Sequence, residues 1–170
     1  TNNNEVSLGE VGEILIKGES TMKGYWNRTS ASEESIVNDW FYTGDAGYED
    51  EEGFLYIYDR VKDMIISGGE NIYPAEVENA LMSHPDVIDA AVVGIPDDKW
   101  GETVKGFVIL SESSDLTEQN IIDFSREQIA HYKCPTSINF ISEMPRNPSG
   151  KILRRELRAP YWDKEGRNIS

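Results

Sequence analysis

The sequence predicts an α+β fold in which helices pack on a small mixed sheet. Three observations carry this. Apolar runs of strand length recur at 87–96 (VIDAAVVGIP), 102–110 (ETVKGFVIL) and 137–141 (SINFI). Helix-start signals stand between or beside them, with Pro74 suited to a first helical position and Thr117 to an N-cap. Glycine-marked turns separate paired short strands earlier in the chain, which is how hairpins are written. Strands and helices interleave without repeats, which suits helices laid on one small sheet.

The elements follow in order. Residues 10–18 (EVGEILIKG) set Ile14 and Ile16 among polar neighbours and end in glycine, as a strand does. Ser30-Ala-Ser-Glu33 has capping-box spacing, so a short helix is expected there, running through Val37. A hairpin follows, with arms at Phe41–Tyr48 and Phe54–Tyr58 and a turn at Glu51-Glu52-Gly53. Next comes a strand at Met64–Ile66, a turn at Ser67-Gly68-Gly69, and a strand at Asn71–Tyr73. The helix opened by Pro74 places Val77, Ala80 and Leu81 on one stripe and ends by His84-Pro85. After the strands at 87–96 and 102–110, Thr117 caps a second helix. Leu116 and Ile121 stand at its hydrophobic-staple positions, and Cys134-Pro135 breaks it. The strand at 137–141 and a helix over Lys151–Arg158 complete the chain.

Composition narrows the function. The 170 residues carry a formal net charge of −15, with 38% hydrophobic and 28% charged residues. A field of that sign repels nucleic acid and anionic membrane surfaces, so neither is an expected partner. The lone cysteine, Cys134, excludes an internal disulfide framework, and we expect a reducing, cytoplasmic setting. Two histidines, His84 and His131, are too few for a His-based metal site, and no metal ligand is assigned. The opening Thr-Asn-Asn-Asn, without Met, reads as a piece of a longer or processed chain.

Three stretches could carry chemistry. Arg146, Lys151, Arg154, Arg155 and Arg158 crowd one segment of an otherwise acidic protein. Its Pro-Ser-Gly-Lys lacks the glycine spacing and hydroxyl residue of a phosphate-binding P-loop. A lysine on such a turn could still reach a carboxylate or phosphate oxygen as a point charge. Composition alone favours a solvated basic face, with Ile152, Leu153 and Leu157 turned inward. Asp45, after Thr43-Gly44, could accept ribose hydroxyls or merely satisfy turn amides, and the second is commoner. Gly68-Gly69 could line a ligand path or simply turn the chain at positive φ.

Taken in order, GEILIKG…MKGYW, FYTGD, YDRVKDMIISGGENIYPAEVE, GIPDDKWGE, HYKCP and PRNPSGKILRREL resemble the AMP-forming acyl-CoA synthetases of the adenylate-forming superfamily. The resemblance runs from about residue 10 to 158 and looks most like the fatty-acyl and medium-chain ligases. It implies that a carboxylic acid attacks the α-phosphate of Mg·ATP, giving acyl-AMP, and that coenzyme A then displaces AMP. It also implies a large N-terminal domain and a small C-terminal lid that rotates between the steps. Residues 1–59 would then be the β-rich tail of the large domain and 60–170 the lid.

By the same resemblance, Lys151 is the lysine that bridges acid and phosphate during adenylation, and Asp45 the ribose-hydroxyl ligand. Arg60 is the neighbouring nucleotide contact, Lys62 the hinge position, and Gly69 a glycine lining the pantetheine path. Arg126 matches a contact to the nucleotide end of coenzyme A. The expected ligands are ATP or AMP, coenzyme A and Mg2+, the last held mainly by the large domain. The rival readings are an adenylation domain loading a carrier protein and a non-catalytic interaction module. Residues 1–170 alone are expected to be inactive.

Overall fold

A computed structural model describes residues 4–162. The chain falls into two compact units, Thr1–Lys62 and Asp63–Ser170. The division lies three residues beyond the boundary at 60 expected from sequence.

The first unit is a four-stranded antiparallel sheet. Its strands are β1 (Gly12–Ile16), β2 (Ile36–Val37), β3 (Trp40–Glu49) and β4 (Leu55–Arg60), and β3 pairs with the other three. The β3–β4 hairpin closes on Asp50, whose Oδ1 accepts the N–H groups of Glu52 at 3.0 Å and Phe54 at 2.9 Å. These donors, Phe54 first, hold the Asp50 carboxyl below its ordinary value. The short helix α1 spans Thr29–Ser35, but Ser30 does not cap it. Its N-cap is Arg28, which makes no side-chain cap bond. Ser32 Oγ instead donates to Arg28 O and accepts from Tyr25 N–H, so the serine folds the preceding loop onto the helix. Local side-chain bonds compete here with helix capping, and the capping box expected at Ser30–Glu33 does not form.

The second unit is α+β, as the sequence predicts. Its sheet contains β5 (Ile65–Ser67), β6 (Glu70–Ile72), β7 (Val87–Asp97), β8 (Gly101–Leu110) and β9 (Ser137–Phe140). The long β7–β8 hairpin is antiparallel, β9 runs parallel to β8, and β5 joins β8 where Ser67 faces Gly101. Helices α2 (Pro74–Met82) and α3 (Glu118–Gln128) cover one face. There Val77, Leu81, Ile121 and Ile122 pack on Val92, Val104, Val108 and Ile138. The opposite face buries Ala91, Val93 and Phe107 under Met144 and Leu157, with Ile152 and Tyr161 at the margin. A strand covered on both faces must be apolar at successive positions, which explains the unbroken Ala90-Ala-Val-Val93 run.

Thr117 caps α3 as expected, in a reciprocal arrangement with Asn120. The helix nevertheless ends at Gln128, well before Cys134-Pro135. Ile129 is already extended and a single 3-10 turn, His131–Lys133, follows. The expected helix over Lys151–Arg158 is also shorter, because α4 covers only Arg154–Arg158. Residues 146–152 form a separate small hairpin. Among the described residues no helix is long and apolar enough to cross a membrane.

Candidate functional site

The hairpin that carries Lys151 is built by its own sequence. Arg146 and Ile152 form an antiparallel bridge, and Asn147 N–H donates to Lys151 O at 2.9 Å. Gly150 N–H donates to Asn147 O at 2.9 Å, closing a four-residue turn. Asn at the first position and Pro148 at the second are the residues such a turn favours. Gly150 then sits at φ +84°, where a side chain would be strained. Asn147 Oδ1 accepts from Ser149 N–H, Ser149 Oγ–H and Lys151 N–H, at 3.0, 2.8 and 2.9 Å. Lys151 therefore does not face a helix N-terminus. It stands at the end of a rigid turn, and Ile152 beside it packs toward the apolar layer under β7 and β8.

The neighbouring cations are a solvated basic face only in part: Arg155 is exposed, while Arg146, Arg154 and Arg158 each meet a carboxylate. Arg146 donates to Asp89 Oδ2 and to Gly150 O, each at 2.7 Å. Arg154 makes two 2.8 Å contacts to the Glu78 carboxylate, and Arg158 pairs with Asp63 at 3.4 Å. Glu78 also accepts Val92 N–H at 2.8 Å. Because among the described residues β7 pairs only with β8, that carboxylate satisfies an amide on an open sheet edge. Lys151 is exposed, and its ammonium has no partner among the described residues.

In the first unit the structure brings Asp45 and Arg60 together. They are register partners across β3 and β4, with Arg60 Nε 3.0 Å from Asp45 Oδ1. The turn-amide reading of Asp45 does not hold. Thr43 Oγ1 takes the Asp45 N–H and Glu13 takes the Gly44 N–H, at 3.1 Å each. Asp45 Oδ2 has no partner among the described residues, so it fits a ribose hydroxyl donor, with a guanidinium alongside for phosphate.

The other predicted positions are dispersed. Lys62 is exposed on the 3-10 turn Val61–Asp63. Gly69 turns β5 into β6 at φ +91°, and a Cβ there would meet open space. The crowded glycine is its neighbour. Gly68 has φ +60°, and a Cβ on it would lie 2.7 Å from the Trp100 ring. A hollow of about 270 Å³ opens beside this turn, lined in part by Gly68, Trp100, Thr103, Tyr132, Cys134 and Thr136. Arg126 lies on α3, tied to Asp123 at 2.7 Å. Among the described residues no hydrogen bond or ion pair joins Gly69, Arg126 and Lys151. No group of three or more His, Cys, Asp or Glu could hold a metal ion among them either.

Sequence reasoning assigned no role to Asp89, Asn147 or Trp100. Asn-Pro-Ser-Gly was a readable turn signal for Asn147. Asp89 meets Arg146 through tertiary pairing and left no local trace, whereas Trp100 sits on the β7–β8 turn, where Asp97 Oδ1 accepts the Lys99 and Trp100 N–H groups, a local signal.

This fold, with its lysine-bearing hairpin, defines a class: residues 76–151 match the AMP-binding enzyme C-terminal domain. The chain belongs to the AMP-forming acyl-CoA synthetase family and carries that C-terminal portion. It is 54% identical to a 2-succinylbenzoate–CoA ligase of Bacillus cereus (strain Q1) over 147 residues, 86% of this chain and 30% of the relative. The o-succinylbenzoate-CoA synthetase of Bacillus subtilis, solved with its acyl-adenylate intermediate, superposes with a TM-score of 0.82 at 45% identity. That match covers 95% of this chain and 32% of that one. A fatty acyl-CoA synthetase of Mycobacterium tuberculosis matches at 47% identity and a TM-score of 0.65, over 89% of this chain and 30% of its own. The chain thus spans about a third of the length of the relatives it matches.

Proposed function

We propose that this chain works as the C-terminal part of an acid–thiol ligase that activates a carboxylic acid with ATP and passes the acyl group to coenzyme A. The carrying observation is Lys151, an unpaired ammonium on an ordered turn whose neighbours Arg146, Arg154 and Arg158 are each held by a carboxylate. Adenylation brings a carboxylate and a polyphosphate together, two anions that repel. A fixed cation stabilises the charge that develops between them and lowers the barrier. Asp45 would accept the ribose hydroxyls, and Arg60 would hold that carboxylate in place while facing the nucleotide. Residues 60–170 would act as the lid, turning at Lys62, with residues 1–59 belonging to the substrate-holding domain. Gly69 would let the pantetheine arm of coenzyme A pass, and Arg126 would meet its nucleotide end. Mg2+ would be bound mainly outside this chain.

For the acid, we favour 2-succinylbenzoate over the fatty acid suggested by the sequence motifs, because relatives of that name reach 54% identity. A cytoplasmic setting accords with the unpaired Cys134. The test is pyrophosphate exchange and thioester formation by the full-length enzyme carrying this chain. It should be offered 2-succinylbenzoate and fatty acids, with coenzyme A or a carrier protein as acceptor. Coenzyme A thioester with 2-succinylbenzoate supports the proposal. Carrier loading points to the adenylation-domain alternative, and absence of exchange to a non-catalytic module.

A further inference from the structure

The structure assigns Arg146 and Asp89 a positioning role: together they hold the Lys151 turn against β7 and so aim its ammonium. The inference rests on the reading of Lys151 as the adenylation cation. Arg146 uses one end of its guanidinium on each partner. One terminal nitrogen donates to Gly150 O, the carbonyl immediately before Lys151, and the other to Asp89 Oδ2, both at 2.7 Å. Asp89 is itself fixed, since its Oδ1 accepts Ala90 N–H at 3.0 Å within β7. The planar, forked guanidinium can span two acceptors in this way, and an ammonium cannot reproduce it. The turn is thus secured at three points. Asn147 fixes it from inside, Ile152 anchors its exit strand in the apolar layer, and Arg146 ties its tip to the sheet.

Stability alone does not account for the arrangement. Arg146 and Asp89 are 41% and 22% exposed, and ion pairs of that kind add little to folding. What the pair fixes is direction, and a displacement of about 1 Å at a reacting centre can cost up to about 100-fold in rate.

The test compares half-reactions in the full-length enzyme. Arg146→Ala should slow adenylation by about 10-fold or more. Thioester formation from preformed acyl-AMP should stay at the parent rate, which also shows that the protein is folded. In the Lys151→Ala background the same change should cost nothing further, because a residue acting only through Lys151 has nothing left to aim. Asp89→Asn keeps the Oδ1 acceptor for Ala90 but puts an amide NH2, a donor, where Oδ2 accepted from Arg146, so it breaks the Arg146 contact and leaves the Gly150 one. It should show the same one-sided loss to a smaller degree, and serves if Arg146→Ala fails to fold. Normal adenylation in Arg146→Ala, equal losses in both half-reactions, or a further loss on top of Lys151→Ala overturns the positioning role. If Lys151→Ala itself leaves adenylation intact, the reading of Lys151 has failed, and the two failures are told apart.

Discussion

Asp45 and Arg60 face each other across the β3–β4 hairpin, 3.0 Å apart, and leave one carboxylate oxygen without a partner among the described residues. The pair is partly exposed, so its contribution to folding is small, about 0.2–1 kcal/mol. Asp45→Asn should therefore barely move the melting temperature. It should weaken ATP binding by the full-length enzyme about 10-fold, on the order of one charge-assisted hydrogen bond. Titration of nucleotide binding alongside a thermal melt checks both. Unchanged affinity would remove Asp45 from the ribose site.

Glu78 presents the opposite case. Its carboxylate is buried between Arg154 and the Val92 amide at the open edge of β7. Glu78→Ala takes a buried acceptor from the partly buried Arg154 and from the Val92 amide, and should destabilise the second unit by about 1–3 kcal/mol. Replacing both partners by methionine should cost less, since it removes both charges together and leaves only the Val92 amide without its acceptor. Denaturant unfolding of the two variants distinguishes the outcomes.

At the β5–β6 turn, both glycines have positive φ, yet only Gly68 is crowded. Gly69→Ala should cost about 1–2 kcal/mol from backbone strain alone. Gly68→Ala adds a clash with Trp100 and should cost a further 1 kcal/mol or so. Trp100→Ala should recover part of the second loss and none of the first. Chemical denaturation of each glycine variant with and without Trp100→Ala, set against Trp100→Ala alone, measures this directly.

Acid should loosen the β3–β4 hairpin. Backbone donors, led by Phe54 N–H, lower the Asp50 pKa from 3.8. The folded carboxyl therefore binds fewer protons than the unfolded one, and its stabilisation is present above about pH 3.8. It is lost as pH falls through the lower, folded value. Thermal melts from about pH 5 downward should show this slope in the parent and a shallower one in Asp50→Ala. Identical slopes would contradict it.

Much of this was legible in the sequence. Alternation and glycine turns placed the strands, and Pro74 and Thr117 opened their helices where the chain signalled. What failed did so for local reasons. Ser32 took a loop bond instead of Ser30 capping α1, and the chain straightened at Ile129 before any proline required it. The basic segment misled most. Five cations in thirteen residues suggested one solvated face, whereas β7 and α2 supply carboxylates that engage two of the arginines. Such partners lie 57 and 76 residues away in sequence, beyond the reach of local pattern.

The central claim is that Lys151 supplies the cation for adenylation and nothing for thioester formation. The decisive measurement is Lys151→Ala in the full-length enzyme, assayed separately for acyl-AMP formation and for thioester formation from preformed acyl-AMP. Adenylation should fall by about 10²–10³-fold, as when one transition-state donor is removed, while the second half-reaction keeps its rate. Equal losses in the two, or none in the first, would contradict the account.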